Sequence, residues 1–319
     1  MNNRRISAST PVSSRSRTGF AIALVVLFAS TLVFASSTPQ GTFEKTLTVT
    51  GPVDLDVQTH SGDVTIRTGA SSAVIIRGKI FVSDHWLRGN READVSAIEQ
   101  HPPIRQDGNA IHIDYVDAHE ISVDYEITVP AETTVRSRTG SGDQTLEGTR
   151  GNVDVQTGSG DVKLAKLTGV VHLQTGSGNV RGREISGAVR AGTGSGDVEI
   201  EETGSGNIDL RTGSGNITAR GIQGELHAEA GSGDITAEGA QSGPWEIRSG
   251  SGNVHVRLPG NAAFDADIVS SSGTVQVDSP IEMTVQGRVD NSHKQIRGKV
   301  RGGGPLLSVR TGSGDIQIQ

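Results

Sequence analysis

The sequence predicts an all-β protein: a single-stranded parallel β-helix, or β-solenoid, wound right-handed with two strands in each turn of about eighteen residues. Three observations carry this. First, glycine recurs at Gly142, Gly151, Gly160, Gly169, Gly178, Gly187, Gly196, Gly206, Gly215, Gly224, Gly233, Gly243 and Gly252, and ten of those twelve steps are nine residues while two are ten. Second, residues two and four after each glycine are mostly apolar, as in Val162 and Leu164 or Val198 and Ile200. The residue between them is usually polar, the period-two pattern of a strand with one buried face. Third, 43 glycines and only 3 % aromatic residues suit a thin coil interior filled by Val, Ile, Leu, Ala and Thr.

Two kinds of rung alternate. Ser-Gly-Asp or Ser-Gly-Asn corners (Ser141-Gly142-Asp143, Ser159-Gly160-Asp161) take turns with plainer ones (Arg150-Gly151-Asn152, Thr168-Gly169-Val170). Stacking brings Gly142, Asp143, Gly160, Asp161, Gly178, Asn179, Gly196, Asp197, Gly215, Asn216, Gly233, Asp234, Gly252 and Asn253 into one corner column. This predicts a structural ladder in which Asx side chains satisfy corner N–H groups and amides donate to stacked carboxylates. Thr139, Thr157, Thr175, Thr193 and Thr212 recur three residues before the corner glycines, and they predict a second ladder with hydroxyls bonded along the column.

Along the chain, residues 1–35 read as an export signal: Arg4, Arg5, Arg15 and Arg17, an uncharged apolar run from Gly19 to Ala35, and a Val33-Phe34-Ala35 cleavage site. The alternative is an uncleaved N-terminal anchor, with membrane contact through residues 19–35 alone. Residues 36–40 form a linker. Residues 41–137 form an N-terminal β segment with an insertion that caps or braces the rod. It holds an early corner copy, His60-Ser61-Gly62-Asp63, and a short helix within 88–101 that ends before Pro102-Pro103. Ile111–Tyr115 and Ile121–Tyr125 read as a hairpin with Ile113 opposite Val123 and His112 opposite Asp124. Residues 138–257 are the regular solenoid. Residues 258–319 are a C-terminal solenoid segment that restarts at Ser272-Gly273-Thr274 and ends on an exposed terminal strand able to accept a partner strand. Its basic stretch 288–301 (Arg288, Lys294, Arg297, Lys299, Arg301) reads as protection of a strand edge, or as contact with an anionic envelope polymer.

Tyr125-Glu126-Ile127-Thr128-Val129-Pro130, the repeated Thr-Gly-Ser-Gly-Asp/Asn-Val/Ile and the closing Gly302-Gly303-Gly304-Pro305 through Asp315 are similar to the bacterial "putative adhesin" family of unknown function, itself similar to the GIN-type adhesin head domain. The resemblance spans about residues 41–319 and implies an exported β-solenoid with no catalytic residues to carry over.

The chemistry of the residues points the same way. Nine-residue calcium-binding repeats place aspartate two residues past glycine, whereas here Asp or Asn follows directly. His172 and His227 take the outward third place after their glycines, three turns and roughly 14 Å apart, too far to share a zinc ion. The glycine corners open strands rather than helices, so they lack the geometry of a phosphate cradle. There is no cysteine and no Gly-x-Ser-x-Gly elbow. Trp245 takes an inward place and, like Trp86, reads as a packing residue; Glu199, Glu201 and Glu202 read as solvated surface. No catalytic, cofactor or metal site is expected.

Without residues 1–35 the chain carries 25 basic and 36 acidic residues, net −11, which disfavours nucleic acid as a partner. The expectation is a non-catalytic exported protein of the periplasm, cell surface or extracellular space. It would bind or scaffold an envelope or surface component, protein or glycan. The alternative is a polysaccharide-degrading β-helix enzyme, a lyase or hydrolase.

Overall fold

Wherever a corner is followed by alternating residues, the backbone is extended. In the computed structural model, which describes residues 39–69, 72–83, 91–116, 120–278 and 294–319, this gives 26 strands and one helix among the described residues. The described residues belong to the unit Thr38–Gln319. The expected signal segment, Trp86 and Arg288 lie outside the described residues.

The strands divide into two thirteen-stranded sheets. In the regular region they alternate. Val153–Ser159, Val171–Thr175, Val189–Ser195, Ile208–Ser214, Leu226–Ser232 and Trp245–Ser251 enter one sheet, here sheet B. The strands between them, from Val162–Thr168 to Val254–Arg257, enter the other, sheet A. Every pairing in this region is parallel, so the molecule is a β-solenoid with two strands per turn. The inward residues two and four after each corner glycine form the core between the sheets: Val162, Val198, Ile200, Leu210, Ile217 and Ile235 are all 0–1 % exposed. Trp245 is also fully buried and donates its indole N–H to the Gly224 carbonyl at 3.1 Å.

The corners explain the glycine ladder. Turns stack backbone on backbone there: a Cβ at Gly178 would lie 1.9 Å from the Gly160 carbonyl oxygen. A turn bearing any larger residue could not approach its neighbour to strand spacing. The threonine column also stacks in register, but its hydroxyls do not bond one another. Thr175, Thr193 and Thr212 donate to the carbonyls of Gly160, Gly178 and Gly196 in the preceding corner, at 3.2, 2.9 and 2.9 Å. Thr139 donates to the Ser141 carbonyl of its own turn at 3.1 Å, so backbone carbonyls rather than neighbouring hydroxyls take the bonds of this column, which corrects the expected ladder.

Both ends depart from a simple wind. The first turn of the sequence, Val53–Ser61 and Val64–Thr68, lies between later segments: Ala110–Ile113 and Ile121–Val129 on one side, Thr133–Ser141 and Gln144–Glu147 on the other. The last turn, Leu306–Ser313 and Ile316–Ile318, is likewise flanked on both sides. Trp245–Ser251 and Val254–Arg257 lie to one side, Phe264–Ser272 and Val275–Val277 to the other. The expected exposed terminal strand is therefore interior. The edges at that end are Val275–Val277 and the antiparallel Lys294–Val300.

At the other end, Gly41–Thr48 and Ala73–Val82 extend sheet A in antiparallel fashion, and Ile104–Asp107 edges sheet B. The helix Arg91–Gln100 rests on the first strand through buried Val95 and Ile98.

The expected 111–125 hairpin does not form. Ala110–Ile113 pairs with Val53–Ser61 in sheet B, while Ile121–Val129 pairs with Val64–Thr68 and Ala73–Val82 in sheet A. Placing the two segments in opposite sheets buries Ile111, Ile113, Val123 and Tyr125 from both sides of the core. His112 consequently faces Asp56 rather than Asp124, and Tyr115 is left exposed.

Candidate functional site

The corner column is bonded along its whole length. Each Asx Oδ1 accepts the backbone N–H of the Asx on the next turn: Asp143 from Asp161 at 2.9 Å, Asp161 from Asn179 at 2.8 Å, Asn179 from Asp197 at 3.0 Å. Asp197, Asn216 and Asp234 continue it to Asn216, Asp234 and Asn253 at 2.8, 2.9 and 2.7 Å. Asn179 also donates its amide to Asp161, at 3.1 Å. The line crosses both interleaved ends, from Asp124 through Asp63 to Asp143, and from Asn253 through Asp315 to Thr274. Burial, opposed by the bond from Asp63, raises the pKa of Asp124. These side chains are engaged with backbone, and the column offers a ligand little.

The outer face of sheet B is different. Parallel register brings Asp154, His172, Arg190, Asp209, His227 and Glu246 into one row. Its members pair along the row: His172 Nδ1 lies 3.6 Å from Asp154, Arg190 Nε donates to Asp209 at 3.2 Å, and His227 Nδ1 lies 3.4 Å from Glu246. His172 and His227 stand three rungs apart, too far to share an ion. Among the described residues no group of three or more His, Asp or Glu side chains is placed to hold a metal.

Two hollows of about 550 and 630 Å³ open on this face. They share His172, Arg190 and Asp209, so they form one continuous trough. The first includes Val170, Ala188 and Pro244; the second includes Gln174, Gly192, Arg211 and bare glycine backbone at Gly194 and Gly213. Asp209 anchors the centre. Its side chain is 19 % exposed and sits between Arg190 and Arg211, which are 70 % and 58 % exposed. A smaller hollow on the same face is lined by Tyr115, Gln58, His60 and Arg138.

The sequence marks the histidines of this row but not Arg190 and Asp209 within it, nor Arg211 in the adjacent outward row with Gln174 and Gly192. An eighteen- or nineteen-residue step connects each member of the row to the next, so the period that places the histidines also places Arg190 and Asp209.

Glu202, expected on the solvated surface, is buried, at 3 % exposure. It lies where the glycine spacing lengthens to ten, and it accepts the Gly206 backbone N–H at 2.6 Å. Burial raises its pKa, against the backbone N–H groups of Gly206 and Gln223. Glu199 pairs with Arg220 at 2.8 Å, and Glu201 is exposed. In the basic stretch, Arg297 on the edge strand pairs with Asp267 at 2.8 Å, as does Arg310 at 2.9 Å. Although burial acts in the opposite sense, these two guanidiniums hold the Asp267 carboxyl below its ordinary range.

Comparisons with known proteins follow this geometry. The chain is similar in arrangement to a putative cell adhesion protein from Clostridium sporogenes ATCC 15579, at 12 % identity and TM-score 0.29, over 87 % of this chain and 98 % of the other. It is similar also to a putative adhesin from Bacteroides fragilis NCTC 9343, at 13 % identity and TM-score 0.37, over 88 % and 99 %. No curated protein matches the sequence significantly. The Toastrack DUF4097 family model matches residues 31–319, which include every described strand of the two sheets, and the chain belongs to that family.

Proposed function

We propose that this protein is an exported, non-catalytic β-solenoid of adhesin type that binds a cell-envelope or surface component through the outer face of sheet B. The observation that carries the reading is the trough. Fixed rungs hold a continuous polar row in register, and the row's charges are mutually paired rather than clustered around one reacting point. A rigid face of this kind needs little ordering on contact, and low ordering cost favours binding. Residues 1–35 supply the export signal in this reading.

The test is a pull-down of isolated envelope fractions by the purified chain, alongside an assay for new reducing ends or unsaturated sugars when the chain is incubated with acidic and neutral polysaccharides. Retention of envelope material without turnover is expected. Turnover that disappears on mutation of outward acids would replace this function with a glycan-degrading one.

A further inference from the structure

The geometry points to the notch over Gly192 as a recognition site for a carboxylate of an acidic polysaccharide, a reading that rests on the envelope-binding function proposed above. Gly192 stands in an outward row between Gln174 on one neighbouring strand and Arg211 on the other. A Cβ there would meet nothing nearer than the Arg211 carbonyl oxygen at 4.0 Å, so the place is open. Arg190, two residues earlier on the same strand, His172 beside it, Asp209 and Glu229 also line it.

Asp209 fixes both guanidiniums. Its Oδ2 accepts Nε–H of Arg190 and Nη2–H of Arg211, each at 3.2 Å, and Nε of Arg211 lies 3.1 Å from its Oδ1 as an ion pair. Both terminal nitrogens of Arg190, Nη1 of Arg211, the Gln174 amide and Nε2 of His172 then have no hydrogen-bond partner among the described residues. Glu229 beside Arg211 balances the second guanidinium, so the notch would recognise a carboxylate through its open N–H donors rather than through net charge. The planar forks of Arg190 and Arg211 suit a carboxylate, and the pairing to Asp209 biases both toward one orientation.

The surroundings choose the kind of polymer. Beyond Arg211 the same row reaches Glu229, which repels an acid and closes that direction. In the other direction it passes Gln174 and Gln156 to Arg138, three rungs or roughly 14 Å away at strand spacing. There the exposed Tyr115 ring shares a hollow with Arg138. Two cationic stations, amides between them and a ring at the far end match a hydroxyl-rich chain with spaced carboxylates, its sugar faces stacking on tyrosine. A peptide would bind by adding to a sheet edge, and every strand under this track is already paired on both sides.

The experiment is calorimetric titration of the full chain with oligogalacturonate, with the same oligosaccharide after its carboxyls are reduced to alcohols, and with polyglutamate. It is repeated for Arg190→Gln, Arg211→Gln, Gly192→Gln and, as a control on the opposite sheet, Lys163→Gln, with circular dichroism to verify folding. Oligogalacturonate should bind, and the reduced sugar, polyglutamate and each of the three trough variants should bind about tenfold or more weakly, while the control is unchanged. Equal binding of the reduced sugar, or unchanged binding by Arg190→Gln and Arg211→Gln, overturns the carboxylate assignment. Polyglutamate bound as tightly through the same arginines makes the partner an acidic peptide and overturns the glycan. If envelope material is retained while oligogalacturonate is ignored, the notch assignment fails and envelope binding stands; if neither is bound, both fail.

Discussion

Two glycine-to-alanine substitutions separate the glycines that build this fold from those that do not. At Gly178 the added methyl would sit 1.9 Å from the Gly160 carbonyl oxygen and 2.6 Å from its carbon. Relief to ordinary contact requires about 1.5 Å of separation between turns that pack about 4.8 Å apart. Such a shift breaks the Asn179 N–H bond to Asp161 and the Thr175 hydroxyl bond to the Gly160 carbonyl, 2.8 and 3.2 Å long. Overpacking costs about 1–3 kcal/mol. The two bonds add about 2–4 kcal/mol, more for the carboxylate acceptor than for the neutral one. Gly178→Ala should therefore destabilise by about 3–5 kcal/mol once partial relaxation is allowed for.

At Gly192 the same methyl enters open space. Because glycine weakens a strand interior relative to alanine, Gly192→Ala should be neutral or stabilise by about 0.5 kcal/mol. Urea unfolding followed by far-UV circular dichroism measures both. Comparable losses for the two variants, or no loss at Gly178, would refute the claim that backbone-on-backbone corners set the glycine period.

Three further outcomes follow from the same contacts. Thr193→Val keeps shape and removes the 2.9 Å hydroxyl bond to Gly178, so it should cost about 1 kcal/mol, while Thr193→Ser should recover most of it in the same unfolding assay. Glu202 has a folded pKa above its ordinary value, so the native state binds the proton more readily than the unfolded chain. Its contribution is full below the ordinary glutamate range and is lost as pH rises through the folded pKa. The stability of the parent relative to Glu202→Gln should accordingly fall as pH rises above the ordinary glutamate value of about 4.3 in parallel melts, and a rise would contradict the burial argument. Deletion of residues 306–319 should open a gap inside the stack, and hydrogen exchange should show loss of protection at both 245–251 and 264–272; loss confined to one of them would speak against interleaving.

The regular region was readable because its information is local. Gly160, Asp161, Val162 and Leu164 declare a corner, a cap and two inward places within five residues, and the nine-residue step repeats the declaration. The ends were not readable in this way. Ser61 sits beside Ser141, and Ser251 beside Ser313, across stretches of sequence whose length says nothing of which turn is the neighbour. The 111–125 segments have every local mark of a hairpin, yet each gains more burial by covering a different sheet. Glu202 continues the inward places of Val198 and Ile200 in plain alternation, so its place was legible and only its charge argued for solvent. The trough lay half-visible: its rows follow from the period, but the opening at Gly192 depends on which side chain is missing between two neighbours.

Cross-linking tests the interleaved stack most directly. The chain contains no cysteine, so an introduced pair has no competitor. The outward column places Ser313 between Ser251 and Ser272. A disulfide needs Cα atoms about 4.4–6.8 Å apart, which one rung satisfies and two rungs, at about 9.6 Å, do not. Ser251→Cys with Ser313→Cys should close under mild oxidation, and Ser251→Cys with Ser272→Cys should stay reduced. The reverse pattern would show a chain wound in simple sequence order and would contradict the architecture described here.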